Sequence, residues 1–273
     1  MADTAFQIQY RDEFINGFEL RASKLRDTVT KEAIIKGNQA TFLIAKTGRE
    51  AVTRGSNGLI PANADDLTQV SVTLKEKHDL SEKTGFNIFA GQSDQRRIMQ
   101  EQSMAVINRD CDLAIITALA TGTITTGSAA TFSKTLVNKA IVKLFNGEVE
   151  NDGNLFGLLT PAAWALFTDV PAFSSADYTK NRPMDTGPVV VNWMNVNWRM
   201  HTRLPGIGTS SATCLLYHRA AIGHAVNTAD IDAKAGYDEK QDTSWARTTL
   251  YHEAKLLQNP GVVKIIHDDS TLS

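Results

Sequence analysis

Residues 41–75, TFLIAKTGREAVTRGSNGLIPANADDLTQVSVTLK, decide the fold. Phe42 and Ile44 alternate with Thr41 and Leu43 at one end, and Val70, Val72 and Leu74 alternate with Ser71, Thr73 and Lys75 at the other. A period of two is the pattern of a half-buried strand, so two strands are expected. Between them, Thr47–Thr68 carries Gly48, Gly55, Gly58, Pro61, the bases Arg49 and Arg54, and the acids Glu50, Asp65 and Asp66, with no apolar periodicity to bury. Structureless loops of this length are uncommon inside a compact domain and are usually binding loops or disordered excursions. With a strand on each side, the interval is expected to form a long projecting hairpin.

Upstream, Phe14, Phe18, Ala22 and Leu25 fall at helical steps of three and four, with Gly17 weakening the helix, and Thr28–Gly37 has no helical stripe. Residues 1–37 are therefore expected to be an arm that is poorly stable by itself. Downstream, Ser93–Ala120 contains neither Gly nor Pro, while Gly91 and Gly122 stand just outside it. This predicts one long helix of roughly 42 Å with Ser93 as its N-cap. Met104, Ile107, Cys111, Ala114, Ile115 and Ala118 form its expected buried stripe, with Arg96, Arg97, Arg109 and Asp110 mainly off it.

After a small-residue linker, Phe132–Phe145 places Leu136, Val137, Ala140, Ile141, Leu144 and Phe145 on one helical face. Leu155–Leu159 is a strand leading through Thr160, an N-cap, into a helix that opens on Pro161. Residues 188–200 alternate, Ala212–Tyr217 is strand-like, and Arg219–Val226 is expected to be helical. Leu250, His252, Ala254 and Leu256 line one face of a strand, Asn259-Pro260-Gly261 suits a type II turn, and Val262–Ile266 is a last strand. Strands and helices in uneven order specify an α+β class.

Composition narrows the function. The 273 residues are 42% hydrophobic and 21% charged, which is ordinary globular material. A formal charge of -2 supplies no overall positive field for a phosphate backbone, so nucleic acid is expected as a neighbour and not as a tightly held ligand. Cys111 and Cys214 form no CxxC pair, residues 1–10 lack the pattern of a signal peptide, and no apolar run approaches the ~20 residues of a membrane span. A reducing cytoplasm is the expected place of synthesis.

Strong local signatures of nucleotide, hydrolase, zinc and calcium sites are missing from the sequence. Gly206-Ile207-Gly208-Thr209-Ser210 resembles a phosphate-cradling loop, but no lysine or helix follows in the required place, so a surface turn is expected. His218 and His224 are six residues apart, which suits different faces of a helix, and His252 and Glu253 point to opposite sides of a strand. Trp193 and Trp198 lack an interleaved basic cluster and are expected to pack. No catalytic, cofactor-binding or metal-ligating residue is assigned.

Arm, long hairpin loop, long helix, mixed block and closing strands together resemble the HK97-like fold of tailed-bacteriophage major capsid proteins. Closest to sequences of that family are residues 35–42, IKGNQATF, residues 83–89, KTGFNIF, and residues 259–263, NPGVV. The resemblance implies an N-terminal arm over 1–37, an extended E-loop hairpin over 38–78, and a peripheral domain with the long spine helix over 79–131. It further implies an axial domain over 132–240, and C-terminal strands over 241–273 that return to the peripheral domain.

By the same resemblance the chain is a structural shell subunit and not an enzyme. It would meet copies of itself in pentamers and hexamers, a separate scaffolding protein and a portal, around packaged double-stranded DNA, with no membrane. It would be made in the bacterial host cytoplasm and end in the virion. Arg49, Arg54, Asp65 and Asp66 are then the candidate intersubunit contacts, through hydrogen bonds and ion pairs. Some members of the family join a loop lysine to a neighbour's asparagine; Thr47–Leu74 has no lysine, so that cross-link is not expected. An encapsulin-like cargo compartment shares the implied fold, and a soluble enzyme would instead form a small oligomer with a polar pocket.

Overall fold

The computed structural model describes residues 22–31, 34–45, 50–56, 58, 60, 67–90, 95–169, 190–227 and 232–270. The chain forms two compact units. One is built from 1–24, 75–112 and 226–252, the other from 25–74, 113–225 and 253–273.

In the larger unit, a five-stranded sheet carries the core. Its strands are β5 (Leu155–Leu159), β6 (Val190–Trp193), β7 (Val196–Met200), β8 (Ala212–His218) and β12 (Val262–His267), in the order β12-β8-β5-β7-β6. β5 and β7 run parallel and the other neighbours antiparallel. Every residue of β5 is buried, as a central strand covered on both faces requires. Helices α3 (Lys134–Phe145) and α4 (Pro161–Asp169) cover one face, packing Val137, Ile141, Leu144 and Phe167 with Trp198, Leu216 and Ile265.

Both helix starts are capped, that of α4 by the Thr160 that the sequence indicates. Ser133 accepts from Leu136 N–H, and Thr160 Oγ1 accepts from Ala163 N–H at 3.2 Å. The other face packs Phe156, Leu158, Leu215 and Tyr217 with Ile115, Ile116 and Leu119 and with Leu25 and Val29. Thus Leu25, Thr28 and Val29, within the residues expected to form an arm, are buried in this core. Thr28 hydrogen-bonds Tyr217 Oη at 2.5 Å, and Thr30 exchanges backbone hydrogen bonds with Ile222 and His224.

In the smaller unit, β4 (Lys75–Thr84), β10 (Asp232–Asp238) and β11 (Thr243–Leu256) pair antiparallel in the order β10-β11-β4, and α1 (Gly85–Ala90) follows β4. Ser244, Ala246, Thr248, Leu250 and His252 form the buried face of β11. Leu250 meets Ile107 and Cys111 of α2 (Gln95–Ala120). His252 Nε2 donates to Asp110 at 3.1 Å, and Lys77 Nζ donates to the other carboxylate oxygen at 3.3 Å.

Several expectations need correction. Met104 is not on a buried stripe; half of it is exposed. In the first half of α2 Arg97, Gln100, Glu101, Gln102 and Met104 are exposed; in the second half the Met104 side is buried at Cys111, Ile115 and Ala118, and Leu113 and Thr117 are exposed instead. Met104 and Leu113 are about two and a half turns apart, so the buried side of the helix switches along its length and one stripe cannot describe it. Residues 219–226 are not a helix: a 3-10 turn over Arg219–Ala221 leads into strand β9 (Ile222–Val226). Asn259-Pro260-Gly261 is also a 3-10 turn, because Gly261 lacks the positive φ of a type II turn. Of the expected helix over 12–25, residues 12–21 lie outside the described residues and residues 22–25 are not helical; the cap at Ser93 also lies outside the described residues.

Candidate intersubunit surface

The loop expected to make the contacts stands on a small sheet of three strands, β1 (Ile34–Lys36), β2 (Gln39–Ala45) and β3 (Leu67–Thr73), in that order. β2 and β3 pair antiparallel from Gln39↔Thr73 to Ala45↔Leu67. The base of this hairpin is fixed by burial: Ala40, Phe42 and Val72 form an apolar cluster with Ala225. The tip of the Phe42 ring abuts Gly223, where a Cβ would come within 2.6 Å of it. Lys255 Nζ donates to the Ser71 carbonyl at 2.7 Å, and Leu74 N–H donates to the Asn38 carbonyl at 2.8 Å.

Beyond this base the apolar side chains turn outward. Leu43 is 54% exposed, Ile60 68% and Leu67 63%, and Val52 is exposed as well. Leu43 sits on the face opposite Phe42, where Thr41 and Ala45 are its companions and Gln69 is its cross-strand partner. Among the described residues of 50–60 no strand or helix is present, as the lack of periodicity requires.

Of the four polar candidates, Arg54 is described. Its Nε donates to the Gly58 carbonyl at 3.0 Å, and Gly58 N–H donates to Gly55 at 3.0 Å. Gly58 takes the left-handed conformation (φ 75°) that closes such a turn. Arg54 thus folds the loop on itself. Arg49, Asp65 and Asp66 lie outside the described residues. The polar reading passed over the exposed apolar side chains Leu43, Val52, Ile60 and Leu67; the signal was available in Leu43, a large apolar residue on the polar phase of its strand.

The polar groups elsewhere act as fasteners. Thr160, His267 and Asp269 are fully buried; Asp269 Oδ1 accepts from Thr160 Oγ1 at 2.8 Å and from His267 Nε2 at 2.6 Å. Thr160 Oγ1 also lies 3.1 Å from the same Nε2. A hydroxyl, an imidazole and a carboxylate are the ingredients of a hydrolytic triad, but here one ring nitrogen faces both partners and solvent is excluded. The cluster ties down the 205–211 loop, since Asp269 N–H donates to the Thr209 carbonyl and Gly208 N–H approaches Asp269 Oδ2 at 3.4 Å. That loop is an exposed turn with positive φ at Gly206 and Gly208.

At the opposite end of the sheet, His218 Nε2 donates to Asp152 at 3.0 Å while its Nδ1 accepts Ala220 N–H. The Asp152 carboxyl is held well below the usual carboxylate range, first by the Asn154 side-chain amide, then by the Asn154 N–H, with His218 adding to both. Trp198 is fully buried and Trp193 half-buried against Phe167, so these rings pack. Among the described residues, no helix is long and apolar enough to cross a membrane.

Comparison with known proteins agrees with this architecture. Nothing among the curated proteins matches. The chain is similar to a solved chain of Mycobacterium phage Che8, with 15% identity, 99% of each chain covered and a TM-score of 0.75. It is similar to the capsid of Cyanophage P-SCSP1u, with 12% identity, 97% of this chain and 94% of that one covered, and a TM-score of 0.76. The capsid of a native GTA particle gives 12% identity, 97% and 96% coverage, and a TM-score of 0.73. The family described as phage capsid protein matches residues 2–269. With nearly its whole length inside that match and the HK97-like arrangement of its strands and helices, the chain belongs to the phage capsid protein family and its work is structural, that of a shell subunit.

Proposed function

We propose that the chain assembles as pentamers and hexamers into an icosahedral shell around the double-stranded DNA of a tailed phage, and that its hairpin loop is the principal lateral contact. The observation that carries this is a loop with a buried base and an apolar outer part: Phe42 and Val72 are sealed while Leu43, Ile60 and Leu67 are not. Exposed apolar groups gathered on one excursion mark an interaction site.

Covering the exposed part of a leucine-sized side chain contributes on the order of 1 kcal/mol, which exceeds most solvent-exposed ion pairs. The apolar contacts therefore supply most of the attraction, and Arg49, Asp65 and Asp66 supply register. DNA lies beside the shell as a non-specific neighbour. A separate scaffolding protein and a portal complete the assembly in the bacterial cytoplasm, and the finished shell is the virion capsid.

The test is to replace Leu43, Ile60 and Leu67 together by serine and to compare shell yield by electron microscopy, with the phage's assembly proteins coexpressed. We expect soluble subunits with an unchanged circular dichroism spectrum and no shells. Wild-type yield from the triple variant would remove the loop from the contact.

A further inference from the structure

The turn that leads into β5 contains Asp152–Gly153, the one Asp-Gly pair in the sequence. Asp-Gly and Asn-Gly bonds rearrange without an enzyme, because glycine has no side chain to keep its nitrogen away from the carboxyl or amide before it. The Gly153 nitrogen attacks Cγ of a protonated Asp152; an N–Cγ bond forms, and the carboxyl hydroxyl leaves as water with the amide proton. Water then reopens the five-membered ring at either carbonyl. Opening at the main-chain carbonyl gives isoaspartate, with unchanged mass and one more carbon in the backbone. Asp152 is exposed, so water reaches the bond. Gly153 sits at a φ of 86°, which favours glycine, so the turn itself keeps the vulnerable pair in place.

At the glycines of the Asn-Gly pairs 57–58 and 146–147 the attacking nitrogen is occupied: Gly58 N–H donates to the Gly55 carbonyl and Gly147 N–H to the Leu144 carbonyl, both at 3.0 Å. Gly153 N–H has no hydrogen-bond partner among the described residues. What stands against the reaction there is the state of the carboxyl. Oδ1 accepts Asn154 N–H at 2.9 Å and His218 Nε2–H at 3.0 Å, and Oδ2 accepts the Asn154 side-chain amide at 2.7 Å. His218 Nδ1 accepts Ala220 N–H at 3.1 Å, which obliges Nε2 to carry the proton it donates. All three bonds favour the ionised carboxylate, whose oxygen is no leaving group, and the Asn154 amide leads in holding the carboxyl below its usual range. They also tie Oδ1 to the nitrogen one residue past the one that would attack. The main chain is gripped as well, since Asn197 Nδ2 donates to the Gly153 carbonyl at 3.3 Å and Arg219 N–H to the Asn154 carbonyl at 3.0 Å.

We propose that Asp152–Gly153 is a latent site of isoaspartate formation, kept closed in the folded chain by Asn154 and His218. The two guards come from different places, one from the turn itself and one from the end of β8, so the site stays closed only while the turn is docked on the sheet. The added carbon would fall just ahead of Leu155, where β5 enters the core with every residue buried. Conversion therefore limits how long a folded subunit remains native. The proposal is independent of the shell-subunit assignment and is tested on the subunit alone.

The full chain is incubated for weeks at neutral pH, and isoaspartate at position 152 is followed by peptide mapping with an isoaspartate-specific methyltransferase and fragmentation mass spectrometry. A synthetic peptide of residues 148–158, which lacks the His218 guard, is the reference. Wild type should convert at least about tenfold more slowly than the peptide, since a hydrogen bond to a charged group is worth about that factor. Asn154→Ala and His218→Ala should each raise the rate by about tenfold, and His218→Gln, whose amide still donates, by less. Deamidation of Asn146 in the same molecules reports any general unfolding and should keep its wild-type rate. Wild type that converts as fast as the peptide overturns the proposal, as do variants no faster than wild type. A rise at Asn146 equal to that at Asp152 also overturns it, because the variants would then be reacting as unfolded chains.

Discussion

Gly157 lies under Trp198 in the centre of the five-stranded sheet, and a Cβ added there would fall 2.1 Å from the indole ring. Trp198 is fully buried and packs against Phe167, so the ring has little room to retreat. Gly157→Ala should therefore cost about 3 kcal/mol, the upper end for overpacking, read as a lower urea midpoint. Cys214 is a second residue whose surroundings decide its chemistry. Burial pushes its thiol up to about 12, although Thr160 N–H, donated to its sulfur at 3.4 Å, pulls the other way. A thiol so rarely ionised at neutral pH should resist a disulfide reagent in the native subunit and react only as fast as the protein unfolds. Asp152 gives a pH signature with a definite sign. Its carboxyl is depressed in the folded state, so the stability it contributes is complete above the unfolded value of about 3.9 and is lost as pH falls below it toward the folded value. Asp152→Asn should accordingly be less stable than wild type at neutral pH, with the gap narrowing below roughly pH 4 in denaturant titrations.

At the scale of elements, what the sequence disclosed depended on whether one face was buried throughout. α3 and β5 were legible because their apolar residues keep one burial pattern from end to end. β4, KEKHDLSEKT, was not, since Leu80 is its one large apolar residue and is exposed. Its alternation is polar on both faces, with pairing to β11 holding it. The single stripe drawn on α2 failed at Met104 for the opposite reason, a burial that changes sides. Ile107 nevertheless remains interior beside Cys111 and Leu250. Ile107→Asp would bury an unpaired carboxylate at a cost of several kcal/mol and should yield insoluble subunits, whereas Arg97→Ala, on the exposed side, should leave solubility and circular dichroism unchanged. The candidate contact was legible in part. The long aperiodic interval announced itself, whereas the bond from Arg54 Nε to the Gly58 carbonyl, four residues away, was not foreseen. Local turn bonds of this kind compete for every loop arginine, and nothing in residue type alone says which will win.

For the molecule as a whole, a match of 12–15% identity with TM-scores near 0.75 shows how little of the fold depends on particular side chains. Binary pattern and volume can be conserved while nearly every residue changes. Shortening Gly48–Asp66 to a tight turn should for that reason leave a folded subunit, because Phe42, Val72 and Ala225 still close the base, and should abolish shells, as sedimentation would report. If the loop makes the proposed contact, its outward apolar side chains carry a further cost that falls before assembly begins. Until a neighbour covers them, Leu43, Ile60 and Leu67 are greasy handles on a freely diffusing chain, open to any similar surface in a crowded cell. Clumping grows with subunit concentration just as shell growth does, so synthesis must run in a narrow window. Too slow, and nucleation stalls; too fast, and inclusion bodies consume the pool.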